Sequence, residues 1–372
     1  EHPFAQVQLI PVFDKLKELK NQGYFEDLIQ RYLLDNPHGS VLTLNPSRGR
    51  TARKAKALED KLDAYLSSLS EEEKTELVKK TANLEQYQET PEDPEAAKCI
   101  PMLKREDIRK EITPFTNEAL DIDGSLFLYH EVPTNGIGYL DLMFDLSDVP
   151  EKDLPIVGLL QAVLGIIDTE HYEYGELFNE INRHTGGIGT SLELYPDVTK
   201  VKEKEFKATF EIKGKALYGQ IPFAIRMMKE ILTASKLDDE KRLKEILSMT
   251  KTRLQDRFLS AGHSAAALRA MSYKSPISKF KDTTNGIEYY QNIREMEEHF
   301  DEKKEEIISG LKALSELLFR KGNVMISYTA SREGLAVLEE EIGSLKEALY
   351  PEIIYCEGEK DGVAVEVAMQ HN

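Results

Sequence analysis

The chain contains no tryptophan and only two cysteines, Cys99 and Cys356, in 372 residues. Two cysteines exclude a disulfide framework and a cysteine-based zinc site. Their scarcity suits a reducing compartment, which for a bacterial source means the cytoplasm. Long apolar runs are also missing. The most apolar stretch, Leu154–Ile167 (LPIVGLLQAVLGII), is shorter than the ~20 residues that cross a bilayer, so no membrane partner is expected. No charged-then-apolar leader follows Glu1. The chain therefore reads as an excised piece or a processed product, and any targeting segment of a longer parent is hidden.

Positive charge is in short supply. The net charge is −18, which argues against a nucleic-acid partner, because phosphate binding needs a basic face. The acidity is uneven. Residues 1–116 carry 18 Lys/Arg against 21 Asp/Glu, leaving 30 of the 48 basic and 45 of the 66 acidic residues to 117–372. Such an acidic later region is either simply well solvated or steers cationic peptides toward itself. With 41% apolar and 31% charged residues the composition is that of a globular protein, and the length allows two or three domains.

Residues 1–35 read as two helices broken around Asn21-Gln22-Gly23, stopped by Asn36-Pro37-His38-Gly39 because the residue before proline disfavours the helical region. Val41–Leu44 is compatible with one short strand. Thr51–Leu69 has Ala55, Leu58, Leu62, Tyr65 and Leu66 at helical spacing. Ser70-Glu71-Glu72-Glu73 fits a capping box opening a second helix to about Gln88, and the two helices make an αα-hairpin. Thr90–Pro101, with three prolines and several acidic residues, is the clearest linker.

Beyond about Thr113 strands and helices mix. Ser125–Glu131 and Gly138–Leu146 alternate on either side of a turn at Asn135-Gly136. An apolar helix over 154–167 precedes a helix stopped by Thr185-Gly186-Gly187 and followed by two strands. In the second strand Phe206, Ala208, Phe210 and Ile212 alternate with Glu205, Lys207, Thr209 and Glu211, the period-two pattern of a half-buried strand. A helix over 218–234 comes next. Asp238 and Asp239 then open a long helix with a stripe of Leu243, Leu247, Thr250, Leu254 and Phe258. A strand over 323–330, a helix over 333–349 and a strand-like tail over 362–369 complete the pattern. The fold class expected is α+β, an antiparallel or mixed sheet packed with helices and preceded by a helical hairpin. The boundaries expected are 1–46 for the helices and closing strand of a preceding domain, 47–112 for the hairpin linker, 113–350 for the α+β domain, and 351–372 for a connector into a following domain.

Three segments invite a chemical role. Asp168, Glu170, His171 and Glu173, with Glu176 beyond, form the one dense cluster of metal-capable side chains. Their spacing matches no zinc motif, so a solvated turn is the simpler reading. Gly186-Gly187-Ile188-Gly189 looks like a phosphate loop, but a phosphate loop feeds into a helix N-terminus and this one follows a helix. Gly262-His263-Ser264 places a serine beside a histidine without a third orienting group, and reads as a helix break and restart. The charged run over 294–306 reads as the solvated faces of two helices. No histidine pair has H-x-x-E-H spacing.

The helix–Thr-Gly-Gly–strand–strand order over Glu176–Ile212 resembles one structural repeat of the pitrilysin/insulinase superfamily of zinc peptidases, in the branch of the presequence proteases and falcilysin. Tyr24–Pro46 resembles the end of that family's second domain, Arg53–Gln88 its helical hairpin, Cys99–Ile108 (CIPMLKREDI) the exit from the hairpin, and Pro133–Gly138 with Thr185–Gly189 landmarks of its third domain. The resemblance implies four related α+β domains in two halves that close over unfolded peptides. It also implies a zinc site and glutamate base in the first domain, carried by H-x-x-E-H. The segment resembling the zinc helix is here Pro155–Gly165 (PIVGLLQAVLG), without His or Glu. An Arg and a Tyr six residues later, which hold substrate in that family's fourth domain, have no counterpart at that spacing. The resemblance therefore implies no catalytic, cofactor-binding or metal residue in this chain. It makes the chain the hinge and one wall of the chamber, with zinc bound in the full-length enzyme. Its partners would be unfolded peptides, with basic ones favoured by the acidity, and the catalytic N-terminal half of the same polypeptide. Two alternatives stay open: a self-standing metal-free paralogue acting as a scaffold or assembly partner, and an unrelated α+β binding protein.

Overall fold

The computed structural model describes all residues except 1–3, 5–6, 8, 112–116, 123–124, 201–204 and 352–372. The strand expected over 362–369, Cys356 and all but the first residue of the expected connector lie outside the described residues. The chain divides into two compact units, Glu1–Arg109 and Lys110–Asn372.

The first unit is helical. Helices α1 (Ile10–Leu19) and α2 (Tyr24–Ile29) are separated at Gly23, whose φ of 74° suits a residue without Cβ, and α2 runs on through a wider turn over Gln30–Leu34. Helices α3 (Arg50–Ser68) and α4 (Glu71–Glu89) meet at Leu69-Ser70, and a short α5 (Pro94–Ala97) follows. The capping box forms as its sequence dictates. Glu73 N donates to Ser70 Oγ at 3.2 Å while Ser70 N donates to Glu73 Oε2 at 2.8 Å. None of the unit's described residues is buried, and the stripe Leu58, Leu62, Tyr65 and Leu66 stays about half exposed. Val41–Leu44 forms no strand and is almost fully exposed, since a lone strand without a neighbour leaves its backbone groups unpaired.

The second unit is the α+β domain. It holds β1 (Glu118–Ile122), β2 (Ser125–Glu131), β3 (Ile137–Asp145), α6 (Leu154–Val163), α7 (Tyr174–His184), β4 (Ile188–Pro196) and β5 (Phe206–Leu217). Then come α8 (Ile221–Thr233), α9 (Glu240–Ser272), α10 (Pro276–Asn285), α11 (Ile287–Glu298), α12 (Phe300–Leu318), β6 (Val324–Ala330) and α13 (Arg332–Ala348). The six strands form one mixed sheet in the order β1-β2-β6-β3-β5-β4, with β2 and β6 parallel and every other pair antiparallel.

One consequence of that order corrects the local picture around Asn135-Gly136. The turn is present, with φ of 52° and 83° at the two residues. The strands it joins are not neighbours, however, because β6 lies between them. The segment 132–136 thus crosses two strand spacings, ~10 Å, instead of closing a tight hairpin.

The core lies between the sheet and its helices. Phe127, Tyr129, Leu140, Leu142, Phe144, Phe210, Ile212, Ile326 and Tyr328 from the strands pack with Leu159, Leu160, Ile225 and Met228 from α6 and α8. Fully burying each such side chain contributes ~1.5–3 kcal/mol before the entropy of ordering is subtracted. Helix α6 ends sooner than its apolar run suggests. Leu164 turns extended and Gly165 takes φ 85°, a left-handed residue that stops the helix. A Cβ at Gly158 would sit 2.5 Å from the Thr284 carbonyl, so glycine there lets α6 and α10 approach closely. The break expected at Gly262 is a kink within α9, at Ala261 with φ −138° and ψ 41°. The charged run over 294–306 is indeed split between α11 and α12, at His299.

Candidate functional site

Strand β5 sends Phe210 and Ile212 into the helix-packed core, so Thr209, Glu211 and Lys213 lie on the opposite face of the sheet. Simple alternation predicts these polar residues to be solvated. Thr209 and Glu211 are instead buried, Glu211 completely, while Lys213 stays exposed. The strand register explains the difference. Met143 and Ser191 stand opposite Glu211 on the two flanking strands, Asp141 stands opposite Lys213, and Ser327 opposite Asp141. Side chains from four strands thus crowd over Glu211.

These residues form one network. Lys213 Nζ lies 2.8 Å from Glu211 Oε2, 3.0 Å from Glu193 Oε1 and 3.8 Å from Asp141 Oδ2. Tyr195 donates its hydroxyl to Glu211 Oε1 at 2.7 Å, and Thr209 Oγ1 donates to the same oxygen. Three carboxylates therefore share one ammonium group. Burial, and then the charge of Glu211, push the Asp141 carboxyl up to about 7. Desolvation also works against an ionised Glu211, but its bonds from Lys213, Thr209 and Tyr195 outweigh it and hold the carboxyl below its ordinary value. Desolvation alone would lower Lys213, yet its bonds to Glu211 and Glu193 carry it above the usual lysine range. Burial and the bond to Glu211 raise Tyr195. A recess of about 400 Å³ beside the network is lined by Tyr139, Asp141, Lys213, Lys215, Ser327 and Thr329. The arrangement offers a negative field, and beside it Ser327 Oγ lies 3.2 Å from His130 Nε2, whose Nδ1 lies 2.7 Å from Asn117 Oδ1.

The residues singled out from the sequence lie elsewhere in the second unit. Asp168, Glu170, His171 and Glu173 occupy the connection between α6 and α7, pinned to the end of α8. Asp168 Oδ1 accepts from Tyr174 N at 2.8 Å, Glu170 N donates to the Ala234 carbonyl at 2.9 Å, and His171 Nδ1 lies 3.0 Å from Glu230 Oε2. Asp168 Oδ1 and the backbone N–H groups of Glu170 and His171 thus serve the local fold. Thr185 ends α7 by donating its hydroxyl to the Ile181 carbonyl at 2.7 Å and accepting from Gly187 N at 3.0 Å. Gly187 takes φ 110°, and Gly186 N donates to the Lys215 carbonyl, carrying the chain straight into β4. No phosphate cradle results, because the helix ends where such a loop would have to begin one. Among the described residues no three His, Cys, Asp or Glu side chains are placed to hold a metal ion. Helix α6, which corresponds to the zinc helix in the resemblance, presents apolar residues that are largely buried. The residues present do not fit zinc.

Sequence reasoning missed the Asp141–Glu193–Glu211–Lys213 network. Glu211 and Lys213, two apart on a strand, signal a same-face pair, but Asp141 and Glu193 join them only through a register that a single sequence does not disclose.

The second unit is thus an α+β domain with a lysine-centred acidic network on the sheet face opposite its core. The family of domains described as associated with M16 peptidases of subfamily C matches residues 44–296. The chain belongs to that family. Protein HypA of Clostridium perfringens is 34% identical over 340 residues, spanning 91% of this chain and 34% of that protein. Presequence protease 1, chloroplastic/mitochondrial, of Arabidopsis thaliana is 27% identical over 336 residues, spanning 90% of this chain and 31% of that protein. The chain thus spans about a third of the length of these relatives. A crystal structure of a peptidase M16 inactive domain from Pseudomonas fluorescens superimposes with a TM-score of 0.42 at 15% identity, over 63% of this chain and 50% of that one. The resemblance to presequence proteases drawn from the Thr185-Gly186-Gly187 unit and its neighbours is borne out.

Proposed function

We propose that this chain is the hinge and one wall of a peptide-degrading chamber in a zinc metalloendopeptidase whose metal and base lie in the remainder of the enzyme. The observation that carries this reading is helix α6. It corresponds to the zinc helix in the resemblance, yet it carries no His, Glu or Asp, in a chain whose relatives include presequence proteases. Zinc would supply an activated water in the catalytic part. The role of this chain would be to enclose and orient the peptide.

Two features support the hinge and the wall separately. The exposed stripe on α3 suits a helix that packs on other parts of a larger enzyme, because contiguous exposed apolar surface marks an interaction face. The lysine-centred network on the sheet gives the second unit a fixed acidic patch, which favours cationic peptides. Peptide binding to the chain tests the wall. A cationic unfolded peptide should bind more tightly than a neutral one of equal length, with an advantage that shrinks as salt rises from ~0.05 to ~0.5 M. Equal, salt-insensitive binding of both peptides would contradict the acidic wall.

A further inference from the structure

A cleft of about 570 Å³ lies on the helical side of the second unit, between α6, α7, α9, α10 and the start of β4. It is separate from the acidic network on the sheet. In a chain of net charge −18, none of the described residues lining this cleft is acidic, and two are arginines, Arg253 and Arg257. These stand one turn apart on α9, a spacing at which like charges repel. Arg257 makes its bonds to a neutral partner, with Nη1 donating to Asn285 Oδ1 at 3.0 Å and Nη2 to the Asn285 carbonyl. Desolvation, and then the charge of Arg253, pull Arg257 below the usual guanidinium value.

A further polar group in the wall is Tyr289. Its ring is buried in the wall of the cleft, only 3% exposed, and its hydroxyl has no hydrogen-bond partner. Burial raises its pKa and Arg253, whose charge it feels, opposes the shift. A buried, protonated hydroxyl without an acceptor costs free energy until an acceptor arrives. The wall also supplies apolar surface from Ile166, Phe178 and Ile231, alongside the polar side chains of Gln161 and Asn182.

Two guanidinium groups, one unsatisfied donor and an apolar floor suit a carboxylate carried beside an apolar side chain, since arginine pairs with carboxylate through two parallel bonds. We propose that this cleft holds the C-terminal carboxylate of an extended peptide whose last side chain is apolar, with Arg253 and Arg257 binding the carboxylate. The proposal rests on the reading of this chain as a wall that meets peptides.

The test titrates the 372-residue chain with an N-acetylated pentapeptide of uncharged side chains ending in leucine, as the free acid and as the C-terminal amide, and with inorganic phosphate. The acid should bind at least tenfold more tightly than the amide. Arg253→Gln should erase that preference, and Tyr289→Phe should reduce it severalfold with the melting temperature monitored to confirm folding. Equal binding of acid and amide would leave the peptide-wall reading standing and overturn the carboxylate site. Binding of neither peptide would overturn the carboxylate site, while the cationic-peptide titration decides the wall independently. Phosphate binding without peptide binding would make this a small-anion site and overturn the proposal.

Discussion

Lys213 Nζ lies 2.8 Å from the Oε2 of Glu211, a carboxylate two residues earlier on β5 that is itself fully buried. A strand turns alternate residues to the same face, so the i, i+2 spacing alone brings ammonium and carboxylate together. Among the described residues Lys213 is the cation that Glu211, Glu193 and Asp141 share, which makes it the group that keeps the network tolerable. Replacing it with methionine should lower stability by ~1–3 kcal/mol, below the full cost of breaking a buried pair because the lysine is 44% exposed. The double variant Lys213→Met/Glu211→Gln should recover part of the loss in a denaturant melt. An unchanged midpoint for the single variant would contradict this assignment.

Asp141 predicts a pH signature. Its carboxyl is pushed from 3.8 to about 7 in the folded chain, so between those limits the folded state holds more protons than the unfolded one. Stability should therefore fall as pH rises from ~4 to ~7 on account of this group, then level off. Asp141→Asn removes that fall and should stabilise the chain at pH 8 by ~1–3 kcal/mol, with little effect at pH 4. Glu211 works in the opposite sense, since its lowered carboxyl stabilises the fold above its ordinary value of 4.5 and loses that contribution on acidification. Melts of the parent and the Asp141 variant across pH 4–8 separate the two, and parallel curves would refute the Asp141 assignment.

In the first unit the Ser70 cap sets the start of α4. Ser70→Ala leaves Glu73 N without its side-chain acceptor and should cost ~1 kcal/mol. Because none of that unit's described residues is buried, the loss should appear as reduced helicity there, with the second unit's cooperative melt unmoved. Circular dichroism on the parent and variant chains reads both effects. A shifted cooperative melt would show the two units to be coupled.

Local chemistry was legible wherever a residue acts within its own turn. The Ser70 cap, the stop at Thr185-Gly186-Gly187 and the core stripe of α9 all follow from neighbours a few residues away. Pairings between distant segments were not legible. The strand β1 and the insertion of β6 between β2 and β3 depend on contacts between distant parts of the chain, as when Tyr129 donates to the Ala330 carbonyl at 3.0 Å. The same limit hid the acidic network. Alternation placed Glu211 on the correct face, but only the register with Asp141, Met143 and Ser191 makes that face crowded enough to bury it. The apolar character of α6, by contrast, was plain from composition, because the absence of His and Glu needs no register to be seen.

The central claim is that this chain encloses peptides without cleaving them, and one sample tests it. Zinc content and hydrolysis of a quenched cationic peptide should be measured together on the purified 372-residue chain. Absence of both zinc and turnover is the predicted result for a wall-and-hinge region. Stoichiometric zinc with cleavage that a chelator abolishes would contradict it, and Asp168, Glu170, His171 and Glu173 would be the first residues to substitute.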